Sequence, residues 1–165
     1  MAKRQVFFSF HYNEDNWRAS QVRNMGKVDS NSQFSDNDWE EVKVKTDSKI
    51  KEWIDSQLAR RSCLVVLVGE HTSGRKWIKY EIEKAHELQK GIVGIFIHGL
   101  KDKDGKQSNK GSNPFYNIFT NDGKRLSNFV TVYDPPHLTS AYVYDDISTN
   151  IEQLIEDAIA EKGTY

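Results

Sequence analysis

One cysteine, three prolines and two methionines are all that the 165 residues hold of these types. The lone Cys63 has no internal disulfide partner, and it opens the apolar run Cys63–Val68, where a thiolate would be poorly solvated; it reads as a core residue. No apolar stretch approaches the ~20 residues that a membrane-spanning helix needs. The N-terminus is basic and then apolar from Val6 to Phe10, but that run is far shorter than a signal-peptide core and no small-residue cleavage site follows, so the expected location is the cytoplasm. Charge of one sign is lacking too. With 23 basic and 24 acidic residues and a formal net charge of -1, no surplus neutralises phosphates along a polymer, which argues against nucleic acid as a partner.

Several chemical signatures are also missing. No Gly-x-Gly-x-x-Gly follows the first apolar run, so the dinucleotide fingerprint is absent. Gly99 to Lys106 imitates a phosphate loop only loosely, because Gly99 and Gly105 are one residue too far apart and Gln107 stands where a metal-binding hydroxyl belongs. The five histidines, His11, His71, His86, His98 and His137, show no pair at metal-ligand spacing on a helix, and Cys63 has no cysteine partner, so no metal site is expected. No Gly-x-Ser-x-Gly elbow supports serine hydrolysis.

What is present suits one soluble α/β domain over residues 1–165, at 37% hydrophobic, 12% aromatic and 28% charged residues. Val6–Phe10 predicts a first strand, His11–Asp15 a polar loop, and Trp17, Val22 and Met25 a helix stopping near Gly26. Residues 29–38 read as a loop and Trp39–Lys45 as a short second strand. Asp47 or Ser48 caps a helix whose inner face is Ile50, Trp53, Ile54 and Leu58. Cys63–Val68 and Ile92–His98 predict strands buried on both faces. Residues 99–113 form a polar surface loop, Pro114–Phe119 a short helical or irregular piece, and Phe129–Tyr133 a last strand. Thr149 and Glu152 offer a capping box for a final helix with Ile151, Leu154, Ile155, Ala158 and Ile159 on its inner face. Strands alternating with helices give a parallel, flavodoxin-like sheet covered on both sides.

Ser73–Ala85 organises the functional reading. Trp77 and Glu81 are one helical turn apart on a common face, beside the stripe Ile78, Ile82 and Ala85. Ligands of such folds sit beyond the carboxyl ends of the strands, and the loop Glu70–Arg75 opens this helix there. Spacing alone leaves two readings: an indole stacking a flat ligand beside a working carboxylate, or a half-buried Trp and a solvated Glu near a helix N-terminus. A phospho-acceptor receiver module shares the outline, with Glu14 and Asp15 imitating its acidic patch, but no Asp ends the central strand and no lysine follows the last one. Asp38, Glu41 and Lys43 match a nuclease carboxylate–lysine set only as scattered charges do.

Three phrases together carry a resemblance: Val-Phe-Phe-Ser-Phe-His-Tyr at Val6–Tyr12 followed by Asn-Glu-Asp, then Leu-Val-Val-Leu-Val-Gly-Glu-His-Thr-Ser, then Arg-x-Trp-x-x-x-Glu-Ile from Arg75. The chain resembles a TIR domain, and more narrowly the TIR-like proteins of the bacterial Thoeris anti-phage system, of the ThsB type. The resemblance implies a flavodoxin-like fold and cleavage of nicotinamide from NAD, with NAD as substrate rather than cofactor. A cyclic ADP-ribose isomer would be released as a diffusible signal to an effector protein. It assigns Glu81 as the catalytic carboxylate and Phe7, Ser9, Phe10, His11, Tyr12 and Trp77 as substrate contacts, with no metal and with self-association as a possible mode of action. Gln33–Trp39 departs from the BB-loop motif of animal TIR domains. A non-catalytic TIR-like scaffold that binds other TIR domains is the alternative.

Overall fold

The computed structural model describes residues 3–29 and 46–165; the expected strand Trp39–Lys45 and the segment Gln33–Trp39 lie outside the described residues. Among those described, four strands form one parallel sheet in the order β1 (Val6–Ser9), β2 (Cys63–Val68), β3 (Gly91–Phe96) and β4 (Val132–Tyr133). Every residue of β1, β2 and β3 is buried, which explains their unbroken apolar runs. Beside β1, Gln5 bridges Asp29 in parallel, so the chain returns to the sheet there after its first helix.

Strand side chains alternate, and the alternation builds two cores. Val6, Phe8, Phe10, Val65, Leu67, Val93 and Ile95 point to one face, covered by α1 (Tyr12–Arg23) and α4 (Ser140–Glu161). Phe7, Leu64, Val66, Val68, Ile92 and Phe96 point to the other, covered by α2 (Asp47–Ala59) and α3 (Lys76–Glu87). The architecture is the expected flavodoxin-like α/β one, with helices on both faces.

Boundaries differ where polar residues hide regular structure. α1 begins at Tyr12, not near Trp17: His11 is its N-cap, and Glu14 and Asp15 fill the first turn, where the positive end of the dipole favours carboxylates. Thr46, one residue before the two expected caps, closes α2 by accepting from Lys49 N at 3.3 Å. Helix α4 starts at Ser140, so Thr149 is no cap; its hydroxyl donates back to Asp145 O at 2.8 Å inside the helix, and Val143 and Ile147 extend the Ile151–Ile155 stripe. β3 ends at Phe96 rather than His98. Only Val132 and Tyr133 pair as β4, because the N–H groups of Phe129 and Val130 are taken by Leu126 O at the 3-10 turn Leu126–Asn128. Pro114–Phe119 is irregular, and it drops Phe115 and Ile118 into the α2/α3 core.

Candidate active site

Helix α3 forms because Ile78, Ile82 and Ala85 recur at helical spacing and bury against β2 and β3. Glu81 shares that buried stripe and is 0% exposed, whereas Glu83, two residues on, is exposed. Burying a carboxylate carries a desolvation penalty of several kcal/mol, so an apolar residue would serve a purely structural α3 better. A carboxylate kept buried at that cost is a candidate for a working group. Trp77 sits one turn earlier, half-buried against the same core, and its ring is fixed from two sides. Tyr80 meets it edge-on at 5.9 Å and Lys76 Nζ stands 4.8 Å over it. Tyr80 in turn donates to Asp55 at 2.7 Å, and Lys76 reaches Asp47, which ties the front of α3 to α2.

The carboxyl edge of the sheet brings the end of β1 to this helix. Arg75, the N-cap residue of α3, offers no side-chain cap; instead Nη1 lies 3.1 Å from His11 Nε2. The other ring nitrogen of His11 accepts from Glu14 N at 3.4 Å. A neutral imidazole has a single acceptor, so the shorter Arg75 contact and the helix cap compete for it. His11 is 8% exposed, and Ser9, two residues before it on the α3 side of β1, is fully buried with its hydroxyl unpartnered among the described residues.

The structure divides the predicted contacts. His11 and Arg75 meet at the carboxyl edge, and Ser9, Trp77 and Glu81 lie on the α2/α3 side of the sheet. Phe7 lies on that side too but deeper, under Trp53 at 6.0 Å and the Arg61 guanidinium at 5.8 Å. Phe10 and Tyr12 belong to the core on the other face. Strand alternation sends Phe10 into the opposite core, where it stacks on Tyr12 at 6.4 Å with Arg23 over its ring. Arg75 was within reach of sequence reading as the last residue before a helix that opens at the ligand edge.

The acidic pair that imitates a receiver site is otherwise engaged. Asp15 is 1% exposed, bonded to Arg18 at 2.9 Å, and its carboxyl is pushed up by burial despite that partner. Glu14 binds His71 Nδ1 at 2.8 Å. Among the described residues no three His, Cys, Asp or Glu side chains cluster as a metal site, and no helix is long and apolar enough to cross a membrane.

A parallel sheet wrapped by helices, with a buried glutamate one turn after a tryptophan at its carboxyl edge, defines the TIR-like class. The family model for the TIR-like domain of the Thoeris protein ThsB matches residues 7–102. A curated relative, ThsB1 of Bacillus cereus (strain MSX-D12), is 40% identical over 134 residues, covering 76% of this chain and 69% of its own length. The chain belongs to the Thoeris ThsB family of TIR-like domains. The relative's name provisionally makes it a cyclic ADP-D-ribose synthase.

Proposed function

We propose that the protein cleaves the N-glycosidic bond of NAD and closes the remaining ADP-ribose into a cyclic isomer that signals to an effector protein. The observation that carries this reading is the full burial of Glu81 one turn from Trp77; the family and the relative's name support it. As the bond breaks, nicotinamide leaves with the electron pair and positive charge grows on the ribose C1′ and ring oxygen. Glu81 stabilises that charge and orients the ribose hydroxyls, an effect enlarged where water is excluded. Nicotinamide departs as a neutral base, so the step needs neither redox chemistry nor a resident cofactor. Trp77 walls the ring pocket, and Ser9 and His11 supply polar contacts at the end of β1. Cyclisation follows when a nucleophilic atom of the same molecule, held close, attacks C1′ before water does. Hydrolysis to linear ADP-ribose is the competing path. The reading treats residues 1–165 as one working domain acting in the cytoplasm.

Nicotinamide release, followed for wild type, Glu81→Gln and Glu83→Gln, tests the assignment, with mass analysis of the products. The expected loss is about 10²-fold or more for Glu81→Gln and none for Glu83→Gln. Equal losses in both variants, or full phage protection by Glu81→Gln in cells, would overturn it in favour of a scaffold.

A further inference from the structure

The carboxyl edge holds a second feature that Glu81 does not use. Between the first two turns of α1 and the loop at 102–109 lies an open trough of about 780 Å³, lined also by Glu70 and His71. Its size is that of a small-ligand site. The loop that walls it is polar and exposed in sequence, yet it is built in place. Arg18, 4% exposed, donates from Nε to Leu100 O at 2.9 Å and from Nη2 to Lys106 O at 2.8 Å while pairing with Asp15. Gln107 donates to Gly99 O and Leu138 O, both at 2.7 Å, and Asn109 N donates to Glu70 at 3.0 Å. Residues 103–109 of that wall lie beyond the span that the family model matches.

Trp17 lines the trough and is 53% exposed, and among the described residues it is the one apolar residue in a lining that is otherwise polar or charged. Around it acids and bases alternate: Glu14 and Glu70 contact His71 from either side, and Asp102 and Asp104 flank Lys103. Balanced charge gives no pull on a free polyphosphate. A flat, neutral ring that stacks on the indole, with hydroxyl and amino groups for the carboxylates, matches the lining, and that is the chemistry of adenosine. The trough opens at the same carboxyl edge as the start of α3. His11, bonded to Arg75, is one turn before Glu14 and Asp15, and His71 and Arg75 belong to the same short loop. Arg75 and Glu81 are six residues apart, about 9 Å along α3.

We propose that the trough holds the adenosine half of the uncleaved dinucleotide, with the diphosphate crossing the His11–Arg75 bridge and the nicotinamide ribose reaching Glu81, and that the adenosine leaves the trough for the ring to close once nicotinamide has gone. This rests on the NAD-cleaving reading above. Nicotinamide mononucleotide keeps the scissile bond but lacks adenosine, so it separates the two ideas. In Trp17→Ala the ratio of kcat/KM for NAD to that for nicotinamide mononucleotide should fall about tenfold, the loss of one base stack; in Tyr142→Ala, an exposed aromatic outside the trough, it should not change. Calorimetry with AMP gives an arm that needs no turnover: binding to wild type should weaken about tenfold in Trp17→Ala. An unchanged ratio, or AMP that binds both proteins alike or neither, overturns the inference while leaving the role of Glu81 standing. Wild type that cleaves neither substrate overturns the NAD reading instead, and AMP binding then decides by itself whether the trough takes an adenine nucleotide.

Discussion

Nη1 of Arg75 lies 3.1 Å from Nε2 of His11, and this contact joins the end of β1 to the residue that opens α3. On the proposed path the Arg75 guanidinium meets the diphosphate of the dinucleotide. Arg75→Ala should raise KM for NAD about tenfold with a change in melting temperature of at most a few degrees. Arg75→Lys should not restore it, because an ammonium cannot reproduce the planar fork that meets His11 and a phosphate together. Steady-state kinetics beside a thermal scan checks both statements.

Arg18 and Asp15 form a buried pair at 2.9 Å, 5% and 1% exposed in their side chains. Arg18→Met strips the partner from a buried carboxylate and frees the loop carbonyls of Leu100 and Lys106, so it should destabilise by about 3–5 kcal/mol. Adding Asp15→Asn should recover a part of that, since no charge is then left unpaired. Urea denaturation of the two variants measures the difference.

Gly69, which ends β2, has no room for a side chain: a Cβ there would fall onto the Asp15 carboxylate. Gly69→Ala should lower stability by about 1–3 kcal/mol through overpacking at this buried point. A denaturation midpoint equal to that of wild type would show that Asp15 moves aside at little cost.

The His71 imidazole is raised above its ordinary value, first by its hydrogen bond to Glu14 and then by that carboxylate's charge. A base raised on folding binds more protons in the folded state, so its stabilisation is complete below pH ~6.5 and disappears as pH rises through the raised value. Melting temperature should therefore fall over that window in wild type and fall less in His71→Gln. Because the pair is exposed, the difference should shrink in high salt.

Legibility in the sequence followed burial. β2 could be read to the residue because a strand covered on both faces needs an apolar side chain at each position, and Cys63–Val68 supplies six. The starts of α1 and α4 could not, since Tyr12–Asp15 is a polar turn whose helical character comes from the His11 cap and the dipole, and Ser140–Tyr142 is a turn that carries no part of the apolar stripe. At the candidate site, spacing paired Trp77 with Glu81, and the resemblance gave Glu81 its role, but apolar periodicity does not mark a buried charge. Strand parity was present all along: Phe7 and Ser9 alternate with Phe8 and Phe10, which is enough to divide the contacts between the two faces.

Cys63 lies fully buried in β2, and burial pushes its thiol up to about 12. At neutral pH it is therefore silent toward maleimides and iodoacetamides. The natural chain thus behaves as a cysteine-free background for labelling. One engineered thiol, for example Tyr142→Cys on the exposed first turn of α4, would take a fluorophore or spin label at a single address, with no native cysteine to replace.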